Sequence, residues 1–217
     1  MKLKLTRGRL RKAAQEFSVI ESSHDEPKLY GVTDGKAIGT YLEHKFNDYL
    51  SARFDYSVGN SAKGIDFPKL GIDIKVTSIK QPQSSCPYKS ARQKIFGLGY
   101  ALLIFIYEKS DNDETRTGRL DIRHTIFVSA ENTADFQTTT GILRILENDG
   151  NKDDLLAFLE ERMLPADSIE AERIVDEILN TPPAVGYLTI SNALQWRLQY
   201  RRVIDIAGDV EGVIRVF

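Results

Sequence analysis

The stretch Asp66-Phe67-Pro68-Lys69-Leu70-Gly71-Ile72-Asp73-Ile74-Lys75-Val76 decides the fold. From Ile72 to Val76 apolar and charged residues alternate with the period of a β-strand, so Ile72, Ile74 and Val76 point to one face and Asp73 and Lys75 to the other. One face is core and the other carries chemistry. Pro68-Lys69-Leu70-Gly71 is a tight connection, and a second short strand around Gly64 to Phe67 completes a hairpin.

Upstream of the hairpin, Leu10, Ala13, Ala14, Phe17 and Ile20 recur at helical spacing and predict an amphipathic helix over Arg7 to Ile20. Thr33 or Asp34 can cap a second helix from about Lys36 to Ala52, whose stripe is Ile38, Leu42, Phe46 and Tyr49 with Glu43 at its border. Downstream, Thr77 to Pro87 reads as a polar loop, Lys89 to Gly97 as a short helix and Ala101 to Glu108 as a strand buried on both faces. Leu120 to Val128 reads as another strand. Helical spacing returns over Asp153 to Met163 and Ser168 to Leu179, and after the Thr181-Pro182-Pro183 break Ser191 can cap a last helix through about Val203. This order predicts an α/β fold, a mixed central β-sheet flanked by helices, with a mainly helical C-terminal part. The chain reads as a single domain over 1–217, with a core at about 34–130 and the helical part at about 140–217.

The chain has 217 residues, 41% hydrophobic and 28% charged, with a mean hydropathy of -0.30. Whole-chain disorder and fibrous classes are excluded by that balance. The longest apolar run, Tyr100 to Tyr107, is far short of the roughly 20 residues of a membrane helix, and no apolar signal core opens the sequence. Cys86 is the single cysteine, which excludes an internal disulfide or thiolate cluster and fits a reducing, cytoplasmic setting. Net charge is only -2, but it is segregated. Lys63 to Lys94 holds seven basic residues against two acidic ones, whereas Glu147 to Glu177 holds eleven acidic against three basic, the pattern of a polyanion binder with an acidic flank.

Asp66 lies on the hairpin arm beside the Asp73 strand, and Glu43 on the preceding helix can supply a third carboxylate. Clustered carboxylates repel one another unless a cation sits among them, and hard oxygen ligands favour magnesium or another hard divalent ion, one or two per site. Lys75 beside such an ion can orient or deprotonate a water, or stabilise charge on a phosphorane. An acid spaced from a second acid, any residue and a lysine arises by chance on the order of once in a chain like this, so the pattern gains weight only from its strand and helix context.

Asp66, six residues, then Asp73-Ile74-Lys75, with Glu43 upstream, resembles the PD-(D/E)XK nuclease motif of type II restriction endonucleases. Lys36 to Glu43 together with Asp66 to Lys75 is most similar to MutH-like mismatch-repair nicking enzymes and their restriction relatives. The likeness covers about Asp34 to Glu108. It implies a restriction-endonuclease-like core in which Asp66 and Asp73 are the metal-binding acids, Lys75 the catalytic lysine and Glu43 the helix acid. Asp73 stands where the MutH-like pattern has Glu, and Ile65 where the motif name has Pro.

The implied activity is magnesium-dependent hydrolysis of double-stranded DNA at a short specific sequence by a homodimer. A MutH-like nicking enzyme and a non-catalytic DNA-binding regulator are the alternatives. Gln81, Gln83, Ser84 and Ser85 carry donors and acceptors suited to base edges, and Lys89, Arg92 and Lys94 on the next helix suit phosphates. Gln93 can point back toward the acids. On the last helix Arg197 and Arg201 form an i, i+4 pair beside Gln195 and Gln199, suited to DNA or to a dimer contact. His24, His44 and His124 lack metal-ligand spacing, and Trp196 reads as a core anchor.

Overall fold

A computed structural model describes residues 2–57, 65–86, 89–191 and 196–217. Along the chain, strand β1 (Leu3–Lys4) leads into helix α1 (Arg7–Ser22), then β2 (Asp25–Glu26), α2 (Gly35–Arg53), β3 (Phe54–Asp55) and β4 (Ile72–Ser78). After β5 (Gln83–Cys86) and the one-turn helix α3 (Gln93–Phe96) come the long strands β6 (Ala101–Asn112) and β7 (Thr117–Val128). Helices α4 (Phe136–Glu147), α5 (Lys152–Glu161) and α6 (Ser168–Asn180) follow. The chain closes with β8 (Thr189–Ile190), β9 (Trp196–Gln199), α7 (Arg201–Ile206) and β10 (Val213–Arg215).

It divides into two compact units. The first comprises Met1–Gln83, Leu102–Val128 and Ile206–Phe217. Its mixed central sheet runs β10-β7-β6-β4, with β2 also paired to β7. β6 and β7 are antiparallel with a register shift between Ile106 and Tyr107. Helix α1 covers β7 and α2 covers β4. Asp34 caps α2 by accepting from the backbone N–H groups of Lys36 and Ala37, which leaves Ile38, Leu42, Phe46 and Leu50 on the buried stripe. Phe46 lies 5.0 Å from Phe17 of α1 and 5.1 Å from Phe105 of β6, ring centre to ring centre, and these three rings anchor the helices to the sheet. On α1 the stripe ends differently from the sequence reading: Ile20 is exposed, and buried Ser18 bonds Thr125 across to the sheet at 2.7 Å.

The second unit comprises Ser84–Ala101 and Ser129–Asp205. Helices α3 to α6 bury a cluster that includes Ile95, Ile142, Leu155, Leu159, Ile174 and Ile178. Beside it stands a small sheet in the order β5-β9-β8. The local sequence does not signal helix α4, because Thr138, Thr139 and Thr140 are weak helix formers. Asp135 caps it, accepting from both the backbone N–H and the hydroxyl of Thr138.

Three other expectations are corrected. The segment before Pro68 is not a strand: Phe67 meets Ile72 in one antiparallel bridge, and Gly64 lies outside the described residues. Gln83 to Cys86 is a strand and not part of a loop. The last helix is not one either. Trp196 and Leu198 are buried while Arg197 and Gln199 are exposed, the period-2 alternation of a strand, and helix begins only at Arg201; residues 192–195, with Gln195, lie outside the described residues. The C-terminal part therefore mixes helices with β8, β9 and β10.

Candidate active site

The turn from Phe67 to Ile72 is closed by backbone bonds in both directions, Phe67 N–H to Ile72 O at 2.9 Å and Ile72 N–H to Phe67 O at 3.3 Å. Gly71 has φ of 63°, the left-handed conformation that costs a residue with a Cβ roughly 1–2 kcal/mol. Arg7 at the start of α1 donates from Nε and Nη2 to the Leu70 carbonyl, at 3.0 and 2.8 Å, and so pins the turn from outside. Nothing in the local spacing around Asp66 points to Arg7; only the fold brings it there.

Asp66 sits where a neighbouring strand would otherwise place a carbonyl. Its Oδ2 accepts from the Ile74 backbone N–H at 2.7 Å. Burial, and a side-chain hydrogen bond shared with Asp73, push the Asp66 carboxyl up to about 7 against the pull of the Ile74 N–H, with the charges of Asp73 and Glu43 adding to the rise. Asp73 is 5% exposed, and its Oδ2 is 2.7 Å from Lys75 Nζ. Glu43 on α2 is half-buried; burial raises its pKa, the Lys75 charge opposes that, and the Asp73 charge reinforces it. Asp66 and Lys75 thus each lie within electrostatic reach of both Asp73 and Glu43.

Two carboxyl groups meet at this point, and the Lys75 ammonium offsets part of their charge. That donor set suits a hard divalent ion, which would relieve the repulsion between them. Among the described residues no group of three His, Cys, Asp or Glu side chains is arranged to hold a metal.

The remaining residues fall elsewhere. Gln81 is exposed after β4. Gln83, Ser84 and Ser85 are half-buried on β5, and the Ser84 hydroxyl bonds that of Tyr200. Lys89 is exposed. Arg92 is held by Glu177 through Nε at 2.8 and 3.1 Å and lies 4.5 Å over the Phe96 ring. Lys94 is not on an exposed helix face: it is 5% exposed near Asp135, and burial lowers its pKa. Gln93 donates to the Leu98 carbonyl at 3.0 Å. Arg197 and Arg201 are exposed, in different elements, and Arg201 is 3.6 Å from Asp205. Trp196 is 1% exposed, a core anchor as read.

Comparisons with known proteins point one way. The family model described as Type II restriction enzyme NspV matches residues 4–215. A curated relative, Type II restriction enzyme NspV of Nostoc sp. (strain ATCC 29411 / PCC 7524), is 64% identical over 213 residues, covering 98% of this chain and 97% of the relative. No solved structure matches.

Proposed function

Because this chain belongs to the NspV family of type II restriction enzymes, and is therefore a site-specific deoxyribonuclease, we propose that it cuts double-stranded DNA at the Asp66, Asp73 and Lys75 cluster as a PD-(D/E)XK enzyme. The observation that carries the assignment is the geometry of the strand, with the Ile74 N–H holding Asp66 Oδ2 at 2.7 Å and Lys75 Nζ 2.7 Å from Asp73 Oδ2. In this reading Asp66 and Asp73 hold one or two magnesium ions, and Glu43 helps hold a second ion or a water bound to it. A bound magnesium ion polarises the scissile phosphate and makes the attacking water more acidic.

The chain's own residues do the rest. The Ile74 N–H fixes the direction of the Asp66 carboxylate, so its free oxygen faces Asp73. Lys75 lies on the strand two residues from Asp73 and keeps its ammonium against that carboxylate, where it orients a water and offsets charge building on the phosphate oxygens. The turn pinned by Arg7 keeps the two acids in register.

Recognition falls to the polar residues outside this cluster. Gln81, Gln83, Ser84 and Ser85 supply base contacts, Lys89 a phosphate contact, and Arg92 another once Glu177 releases it. Arg197 and Arg201 serve recognition or dimerisation. Cutting both strands of a palindrome is done most simply by a symmetric dimer, so the active form is read as a cytoplasmic homodimer, each copy one endonuclease domain. No helix among the described residues is long and apolar enough to cross a membrane.

The test is digestion of a mapped supercoiled plasmid with magnesium and with chelator, beside Asp73→Asn. Discrete linear fragments with magnesium alone, absent in the variant, are the expected result. Accumulation of nicked circles would replace double-strand cleavage by a MutH-like nicking reaction. Binding without cleavage under all metals would overturn the catalytic reading.

A further inference from the structure

Across the Phe67–Leu70 wall of the catalytic turn lies a groove of about 530 Å³, bounded by that turn, by β3 and its continuation, and by the N-terminal arm. Four cations line it, Lys2, Lys4, Arg7 and Lys69, against the single acid Asp55. The arm is held in place. β1 pairs in parallel with β3, Leu3 opposite Phe54 and Lys4 opposite Asp55, and the Leu5 N–H bonds Asp55 O at 3.1 Å. Alternation along this extended arm puts Lys2 and Lys4 on one side. The Lys2 ammonium bonds the Ser51 carbonyl, and Arg7 bonds Leu70 O, both neutral acceptors that leave the charge in place.

Many cations of this protein are neutralised by carboxylates: Arg92, Lys109, Arg119, Arg123 and Lys152 all form ion pairs of 2.9 Å or less. Among the described residues no carboxylate forms such a pair with Lys2, Lys4, Arg7 or Lys69. Four like charges lining one groove repel one another, and an anion in the groove relieves that repulsion. The rings of Tyr56 and Phe67, 5.6 Å apart, make its wall rigid and apolar, which weakens screening by water.

We propose that this groove binds the phosphodiester backbone of duplex DNA beside the cut. The proposal rests on the nuclease reading and deepens it. Lys69 is three residues from Asp66, so their Cα atoms are at most about 11 Å apart, and with a backbone rising about 3.4 Å per nucleotide a phosphate held by Lys69 lies within a few positions of the scissile one. Lysines act here as point charges, so these contacts hold and orient the duplex without reading its sequence. The same turn wall that carries Lys69 also carries Asp66, so a duplex seated in the groove is placed with reference to the metal-binding acids.

The test uses full-length protein, metal-free, with a cognate and an unrelated duplex, and compares wild type with Lys4→Ala/Lys69→Ala over a range of salt. The double variant should bind both duplexes more weakly by the same factor, and its slope of log affinity against log salt should be shallower by about two. Lys4→Arg/Lys69→Arg, which keeps the charge, should restore the slope. A neutral methylphosphonate within three positions of the cut should weaken the wild type and leave the double variant unaffected. An unchanged slope, a loss confined to the cognate duplex, or equal methylphosphonate penalties in both proteins overturns the groove. A wild type that cleaves but shows any of these loses only the groove assignment, whereas a wild type that binds with the expected slope and never cleaves loses the nuclease reading.

Discussion

Asp66 completes β4 with its side chain: its carboxylate takes the Ile74 N–H, 2.7 Å away, that a partner strand's backbone would otherwise accept. The strand edge is satisfied, and in the same stroke the acid is locked facing Asp73. A free carboxylate would be costly there, and its raised pKa records that cost.

The Asp66 carboxyl titrates at about 7 in the folded protein and near 3.8 when unfolded. With no metal present, the native state holds a proton that the unfolded chain gives up, so stability from this group is complete below about pH 3.8 and is lost as pH rises toward 7. Asp66→Asn mimics the protonated form, since an amide can accept from Ile74 and donate to Asp73. In chelator at pH 8 it should melt above the wild type, by about 2–4 °C for each kcal/mol relieved, and the difference should shrink toward pH 4. Magnesium should raise the melting temperature of the wild type more at pH 8 than at pH 6 and do little for the variant. A wild-type melting curve indifferent to magnesium at both pH values would place the ion elsewhere.

Lys75→Ala removes the ammonium at 2.7 Å from Asp73 and, in the proposed reaction, the donor that steadies the water. Single-turnover cleavage at saturating DNA should fall by about 10²- to 10⁴-fold. Affinity for cognate DNA should change little, because the loss falls on the transition state. Filter binding and quench-flow on one preparation separate the two quantities; near-normal cleavage removes Lys75 from the mechanism.

Much of this site was open to the sequence because its signals are local. Asp73 and Lys75 lie two apart on a strand of strict alternation, and Asp66 and Gly71 flank a Pro-containing turn, so adjacency in the chain stands for adjacency in space. The stripe Ile38, Leu42, Phe46 placed Glu43 in the same way. Arg7 was invisible, since 63 residues separate it from the carbonyl it binds. β9 is hidden for a different reason. Trp196-Arg197-Leu198-Gln199 is too short for period 2 to be told from period 3.6 when a capping Ser precedes it, and the strand is decided by pairing of Leu198 with Ile190. Lys94 was misplaced because helical spacing over so short a segment does not say which side is covered.

Gly71→Ala tests the turn between the two acids. At φ of 63° a Cβ is strained, although its nearest neighbour, Arg7 Nη2, is 3.6 Å away, so the cost comes from the backbone and not from a clash. Stability should drop by about 1–2 kcal/mol, and the magnesium concentration for half-maximal cleavage should rise as Asp66 and Asp73 lose their spacing. Gly71→Asn, which tolerates this conformation better, should recover part of both. Equal magnesium requirements in all three proteins would separate the turn from metal binding.

Arg197 and Gln199 offer the most direct test of recognition. On β9 they share the exposed side while Trp196 and Leu198 face inward, so their side chains project together from a short sheet fixed by the buried indole. A strand presenting Arg and Gln can match guanine and adenine edges in the major groove, as two-stranded ribbons do. Arg197→Ala should cost about 1–3 kcal/mol of affinity and relax discrimination at one base pair, whereas a phosphate contact would weaken all sequences alike and lower the salt slope by about one. Affinities for the cognate duplex and its single substitutions, at several salt concentrations, distinguish the two. If affinity, specificity and slope all stay at wild-type values while the dimer dissociates, β9 belongs to the subunit interface instead of to the DNA.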